Sequence, residues 1–304
     1  MDSKNILQGK KPSTFLLSSL FYLSMNAFKQ ELLRLGFPRE KIERVRGAYD
    51  LVGDIAVLEA EPSLRKYFPL LAQAIRNINK HVKVVARKAG ATKGRFRVRK
   101  ISVISGEKRS FTVHKESGCA FKVDLNKAFF SPRLAFERER VAAQVKPGEN
   151  VLVAFAGVGP FAVVAAKKQP NASVVAVELN PQAVKLLKEN IELNKVGDRV
   201  QAVKADAAKF FANEKNWERF DRVVMPLPHG GYGFLPAGVK CCRKGGTIHF
   251  YYIPPKGKNA EKEAVRLARQ ACAENKRKFK LLFTRPVLTF APHVDEVVVD
   301  FKAL

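Results

Sequence analysis

The residues with the clearest chemical purpose lie in the second half of the chain. Val151-Leu152-Val153-Ala154-Phe155 runs into Ala156-Gly157-Val158-Gly159-Pro160-Phe161 and then an apolar helical stretch. Glycines at such a strand-to-helix turn let a ligand come close to the backbone, and the helix start behind them offers free N–H groups to a carboxylate or phosphate. Nineteen residues after Gly159 stands Glu178, followed by Leu179, at the end of the next apolar strand, where a carboxylate can accept both hydroxyls of a ribose. A third strand ends before Asp206 and Ala207, where a side-chain acceptor and a neighbouring backbone N–H could read the amino edge of adenine. A fourth, Phe220-Asp221-Arg222-Val223-Val224-Met225, enters Pro226-Leu227-Pro228-His229 at its carboxyl end, the place where open α/β sheets hold substrates. The set points to a nucleoside-bearing cofactor. Taken alone, the glycines read equally as a tight turn and the prolines as a rigid loop.

The elements that must position these residues follow from periodicity. From residue 137 onward helix and strand alternate, with strands at 150–155, 173–177 and 200–204, the order that builds a parallel sheet. From 49 to 124, short β-branched runs at 55–58, 82–85 and 101–104 accompany one helix at 62–79, an α+β module. Residues 26–36 read as a short amphipathic helix ending at glycine. The predicted organisation is an N-terminal extension over 1–25, an α+β domain over 26–126 and a Rossmann-like α/β domain over 127–304, with a hinge at 124–132. Lys4, Lys10 and Lys11 before the apolar stretch 15–23 superficially match an export signal, but Ser18 and Ser19 interrupt that stretch.

Composition narrows the partners. The 304 residues carry 55 Lys and Arg against 28 Asp and Glu, a formal charge of +27, while 46% of positions are apolar. That is too apolar for a disordered basic tail, and no apolar run approaches the roughly 20 residues a membrane helix needs. A polyanionic partner is expected, nucleic acid ahead of an anionic membrane surface. Between residues 87 and 100 there are seven Lys or Arg and no acid, interleaved with Gly90, Gly94 and Phe96, which suits a surface that follows phosphates and offers one ring for stacking. The cluster from Lys276 to Lys280 reads as the exposed edge of a C-terminal strand. Cys119, Cys241, Cys242 and Cys272 show no CxxC spacing and no His cluster, so no metal site and no disulfide framework are indicated, and a reducing, cytoplasmic setting is expected. Cys241 and Cys242 are expected to pack beside a strand, and His249 and His293 to make structural hydrogen bonds.

With Phe129-Phe130-Ser131-Pro132-Arg133-Leu134-Ala135-Phe136-Glu137-Arg138, the glycine turn, Glu178-Leu179-Asn180-Pro181 and the loop at Pro226, the chain resembles the archaeal tRNA guanine-37 N1-methyltransferase family. Tyr49-Asp50-Leu51-Val52-Gly53-Asp54-Ile55-Ala56 and His114-Lys115-Glu116-Ser117-Gly118-Cys119 also match, so the resemblance runs from about residue 46 to the C-terminus. It implies a monomeric class I methyltransferase using S-adenosylmethionine, preceded by a smaller domain that helps hold the anticodon stem-loop of tRNA. Phe155, Gly157, Val158, Gly159, Glu178, Leu179, Asp206, Ala207 and Pro226 would then hold the cofactor. Arg95, Arg99, Phe129, Ser131, Pro132, Arg133, Leu227, Pro228 and His229 would face the substrate.

The resemblance also implies two catalytic roles. Guanine N1 is protonated at neutral pH, so a base must free its lone pair. Glu137 matches the family's base, and a poorly solvated pocket is expected to raise its pKa. On residues alone, Glu137 reads instead as the partner of Arg138 or Arg140 on a solvated helix face. Arg97 matches the arginine that meets charge growing on guanine O6, with Arg95 and Arg99 on the same strand face beside it. The chain departs from the family at Pro226, where many members have Asn, and at Val153, where an acid is usual. An additional N-terminal domain that contacts the tRNA elbow in fuller members is expected to be absent, leaving selection to the anticodon loop. The rival readings are a wyosine-pathway transferase, moving an aminocarboxypropyl group or methylating a tricyclic guanine derivative, and an RNA-binding protein with a vestigial cofactor pocket.

Overall fold

The computed structural model describes residues 26–90, 96, 98, 100–291 and 294–304. They form two compact units, the first containing the residues up to Tyr49, Ile55–Lys88 and Ser102–Lys108, the second Asp50–Asp54, Ala89–Ile101 and Arg109–Leu304. The segment 124–132, expected as a hinge, lies inside the second unit.

In the first unit, helix α1 (Ala27–Arg34) starts where the Asn26 side chain accepts the Lys29 N–H at 3.1 Å, and it ends before Gly36, whose φ of 84° is left-handed. Its apolar face buries Phe28 and Leu32, one turn apart. Strand β1 (Tyr49–Val52), which beyond Tyr49 counts with the second unit, precedes β2 (Ile55–Leu58), which is buried throughout. The single helix expected over 62–79 is divided into a 3-10 segment, Pro62–Tyr67, and α2 (Phe68–Ile78). Pro69 explains the break, because without an N–H it is tolerated only in the first turn of a helix. Strand β3 (Val84–Lys88) pairs in parallel with β2, and β4 (Ile101–Gly106) lies beside β3.

The second unit opens with the hairpin β5 (Phe111–Glu116) and β6 (Cys119–Asp124) and helix α3 (Ala135–Ala142). Then come β7 (Asn150–Ala154), α4 (Pro160–Lys168), β8 (Ser173–Glu178), α5 (Pro181–Leu193), β9 (Val200–Lys204), α6 (Ala207–Ala212) and β10 (Phe220–Met225). The chain closes with α7 (Leu235–Cys241), β11 (Cys242–Tyr252), α8 (Ala260–Glu274), β12 (Phe279–Ala291) and β13 (Val294–Ala303). One seven-stranded sheet runs in the order β12-β13-β11-β10-β7-β8-β9. Strands β7 to β11 are parallel, and β13 is antiparallel to both its neighbours. The expected strands at 150–155, 173–177 and 200–204 are β7, β8 and β9. Their apolar runs are nearly continuous because helices cover both faces of the sheet. The strand order reverses between β7 and β10, which opens a crevice at their carboxyl ends.

Asn190 of α5 and Asn194, the residue that caps its C-terminus, hold the hairpin. Asn190 accepts the Lys122 N–H at 2.7 Å and donates to the Lys122 carbonyl at 3.1 Å, and also to the Val158 carbonyl at 2.9 Å. Asn194 brackets Ala120 in the same way, at 2.8 and 2.7 Å. The match is geometric: four helical residues rise about 6 Å and two strand residues about 6.8 Å, so the pair serves as a neighbouring strand for β6. At the other end of the chain β12 is the sheet edge, as expected. Arg277, however, is buried and donates to the Val239 carbonyl at 3.0 Å, because α7 ends above it with carbonyls to satisfy. Cys241 closes α7 and Cys242 opens β11, both buried, and burial raises each thiol to a pKa of about 12.

Candidate active site

The carboxyl ends of the parallel strands gather the residues singled out as cofactor ligands. Phe155, the first residue past β7, is left-handed at φ 57° and packs edge-on against Phe234 at 5.3 Å. The turn is closed by Ala156 N–H to the Val177 carbonyl and Gly159 N–H to the Ala156 carbonyl, each 2.9 Å. The two glycines have different duties. A Cβ on Gly159 would stand 2.3 Å from Leu187 Cδ1, whereas one on Gly157 would meet nothing closer than the Phe129 carbonyl at 3.8 Å. Gly159 lets α4 pack on α5; Gly157 leaves its side open for a ligand.

Glu178 is tied into this turn. Its Oε2 accepts the Gly157 N–H at 2.7 Å, and its Oε1 accepts those of Leu179 and Asn180 at 2.8 Å each. A carboxylate has roughly four acceptor positions, so Oε2 keeps capacity for a ribose hydroxyl. Glu178 therefore shapes the glycine turn as well as offering an acceptor, a duty that spacing alone did not reveal. Asp206 caps α6 through the Ala208 N–H at 2.9 Å, with Ala207 buried beside it, and Val158 is buried under the turn. Pro226, Leu227, Pro228 and His229 follow β10 directly, and the Pro228 carbonyl accepts the Ile253 N–H at 3.1 Å, which fixes this loop to the end of β11.

Glu137 departs from both expectations for it. It is not on a solvated face, being 1% exposed, and its pKa is not raised. Burial pushes the carboxyl up, but Arg140, Arg285 and Tyr251 outweigh that push and leave it below the ordinary carboxylate range. Arg140 Nε lies 3.2 and 3.0 Å from its two oxygens, Arg285 Nε is 3.1 Å from Oε1, and the Tyr251 hydroxyl donates to Oε2 at 2.8 Å. Arg138, the other expected partner, turns away: it is buried against Phe130 and pairs with Glu116 at 2.6 Å. Arg140 is held by Asp300, at 3.2 Å for its Nη2. Asp300 also accepts a hydrogen bond from His249 Nδ1–H at 2.7 Å, because Arg222 can only donate and occupies Nε2 at 2.7 Å. His249 is thus a buried structural residue, as expected. Tyr251 connects this cluster to the glycine turn, its ring meeting Phe161 of the first turn of α4 at 5.7 Å.

The remaining substrate-facing residues are dispersed. Phe129 is 62% exposed, the Ser131 carbonyl accepts from Arg138 at 2.6 Å, Pro132 starts the turn before α3, and Arg133 pairs with Asp50 at 2.5 Å. Arg95, Arg97, Arg99 and His293 lie outside the described residues. Among the described residues no group of three His, Cys, Asp or Glu side chains is placed to hold a metal ion, and no helix is long and apolar enough to cross a membrane. A cavity of 730 Å³ lined by Gln144, Lys146, Glu149, Arg222, Arg243 and Lys302 opens at the amino-terminal edge of the sheet, the wrong end for the chemistry of this fold.

Comparison with known proteins decides the family. A family model described as the TRM5/TYW2 methyltransferase domain matches residues 112–282, and one described as the TYW2 N-terminal domain matches residues 29–109. The chain belongs to the TRM5/TYW2 methyltransferase family. The tRNA (guanine(37)-N(1))-methyltransferase Trm5b of Pyrococcus abyssi is 35% identical over 87% of this chain and 77% of its own length. The tRNA 4-demethylwyosine(37)-methyltransferase Taw21 of Saccharolobus solfataricus is 34% identical over 84% of this chain and 93% of its own. A solved complex of aTrm5 with tRNALeu superimposes with a TM-score of 0.77 at 30% identity, covering 92% of this chain and 78% of that one. The TRM5/TYW2 cofactor is S-adenosylmethionine, and the open side of Gly157, the spare acceptor capacity of Glu178 and the capping Asp206 suit its nucleoside. Tyr251 and Arg285, which contact Glu137, and Asp300, which holds Arg140 against it, went unnoticed in the sequence because they come from β11, β12 and β13, more than a hundred residues away. The one local signal was that His249, Tyr251 and Asp300 each interrupt a run of apolar residues.

Proposed function

We propose that the protein transfers the methyl group of S-adenosylmethionine to N1 of guanine 37 in tRNA, beside the anticodon. The observation that carries this reading is Glu137, a buried carboxylate kept ionised and joined through Tyr251 and Phe161 to the helix that opens the glycine turn. The cofactor supplies a methyl group already activated by its sulfonium charge. What remains for the protein is to orient the base and take the N1 proton. Glu137 is the proton acceptor, and Arg97 the cation expected at guanine O6. Leu227, Pro228 and His229 hold the base in place of the asparagine that Pro226 replaces. Val153 is fully buried in the middle of the sheet, so it contributes packing where an acid is usual. The division of labour we propose keeps residues 26–126 for the anticodon stem-loop and 127–304 for methyl transfer, in a cytoplasmic monomer.

A second reading rests on one relative of different activity: Taw21, a 4-demethylwyosine(37)-methyltransferase, is 34% identical over 84% of this chain. Methylation of 4-demethylwyosine at the same position is therefore the alternative. Incubating the protein with methyl-labelled cofactor and three tRNAs, carrying guanine, adenine or 4-demethylwyosine at position 37, separates the readings. Label on the guanine transcript alone is the expected result. Label on the tricyclic base alone selects the alternative, and no label on any tRNA leaves an RNA-binding protein without this activity.

A further inference from the structure

Glu137 has no acceptor position left for a substrate. Its Oε1 takes Arg140 Nε and two nitrogens of Arg285, and its Oε2 takes Arg140 Nε and the Tyr251 hydroxyl, which fills the roughly four positions of a carboxylate. A guanine N1–H can reach it only if one donor leaves. Arg140 is anchored by the buried Asp300 and lies over Phe283 at 5.1 Å. Tyr251 is 1% exposed. Arg285 differs from both: its side chain is 33% exposed and rests 4.5 Å above the ring of Phe136, itself 63% exposed. The strand register agrees. Arg285 stands opposite Val298, and Val298 opposite Tyr251, so the guanidinium and the tyrosine lie on one face of the sheet, with Arg285 on the edge strand.

We propose that Arg285 is a catalytic residue that caps Glu137 in the free protein and passes to the guanine O6 as the target base enters. This rests on the reading of Glu137 as the base. In guanine O6 and N1 are borne on adjacent ring atoms, so a guanidinium leaving Oε1 meets O6 within about one hydrogen-bond length. The exchange puts a cation where negative charge grows when N1 loses its proton. It also removes from Glu137 one of the two cations that suppress its basicity, so the carboxylate gains proton affinity only once the base is in place. The groups facing Glu137 are Arg140 from α3, Tyr251 from β11, Arg285 from β12 and Glu296 from β13, while Asp300 of β13 and His249 of β11 stand behind Arg140.

Single-turnover methyl transfer by the full-length protein, with saturating cofactor and a guanine-37 transcript, tests this across pH. Arg285→Gln should slow the step on the order of 100-fold, with cofactor and tRNA affinities changed by no more than about threefold. Measured at subsaturating tRNA, where the profile reports the free protein, its acid limb should move to higher pH, since Glu137 then has one cation fewer. Arg285→Lys, which keeps the charge, should leave the acid limb in place and recover part of the rate; it serves as the test if the glutamine variant does not fold. An unchanged rate, an unmoved acid limb, or a loss of tRNA binding equal to the loss of rate would overturn the proposal. Glu137→Gln separates the two levels: if it still methylates, the base assignment falls, whereas an inactive Glu137→Gln beside a fully active Arg285→Gln removes only the role of Arg285.

Discussion

At the scale of single residues, the two glycines of the cofactor turn show how one motif contains two different constraints. Gly159 is left-handed at φ 91° and has Leu187 against it, so Gly159→Ala meets both backbone strain and overlap. A loss of about 2–4 kcal/mol is expected in a thermal or denaturant unfolding measurement. Gly157 is left-handed at φ 58° but open, so Gly157→Ala should cost about 1 kcal/mol of stability. Its methyl would instead occupy the open side that we propose receives the cofactor, and calorimetric titration should show S-adenosylmethionine binding weakened by roughly tenfold or more. Equal effects of the two substitutions on stability would mean that Gly157 is a packing glycine as well. Glu178 belongs to the same scale: its three backbone N–H partners explain why a glutamate ends β8, independently of any ribose.

At the scale of elements, much of the second unit was legible because a parallel sheet writes itself in apolar runs separated by helices, and β7, β8 and β9 lie where periodicity put them. What could not be read is contact across the sequence. Nothing local in Lys188-Glu189-Asn190-Ile191 says that Asn190 will serve as a strand for β6, nor that Arg285 on an edge strand will reach a helix 148 residues earlier. Pro69 was legible in principle, yet the apolar pattern ran straight through it. Asn190→Ala removes three hydrogen bonds at a fully buried position and leaves the Lys122 and Val158 groups unmatched. A loss of about 3 kcal/mol is expected in denaturant titration, and since Val158 lies in the cofactor turn, S-adenosylmethionine affinity should fall with it. Strand β13 gives the pH counterpart. Burial, reinforced by the charge of Glu137, raises Glu296 from 4.5 to about 7. Between those values the folded state binds more protons than the unfolded chain, so this residue lowers stability as pH rises through the window. Glu296→Gln should therefore be close to neutral below pH 4.5 and stabilising by about 3 kcal/mol above pH 7. A constant difference across pH in unfolding experiments would show that Glu296 titrates normally.

At the scale of the whole molecule, the charge of +27 and the choice of one base are separate problems with separate residues. The positions we propose around the target guanine are few: Glu137, kept ionised within its ring of donors, and an uncharged loop at Leu227 and Pro228. Attraction of tRNA falls to the basic excess, of which the seven Lys and Arg in residues 87–100 form the densest stretch. Each phosphate contact releases condensed counterions, so tRNA affinity should fall steeply with salt, while affinity for S-adenosylmethionine should stay nearly flat. The same logic sorts the arginine trio. Replacing Arg95 or Arg99 by Ala should lower the slope of log affinity against log salt by about 0.7 to 0.9 each and leave single-turnover methyl transfer at saturating tRNA unchanged. Arg97→Ala should do the reverse, depressing the chemical step with little change in the salt slope. If Arg97→Ala instead reduces the slope and keeps the rate, Arg97 is a phosphate contact like its neighbours. Arg285, which we propose meets O6 whether or not Arg97 reaches it, is then the cation that answers the growing charge, and it is already in contact with the carboxylate.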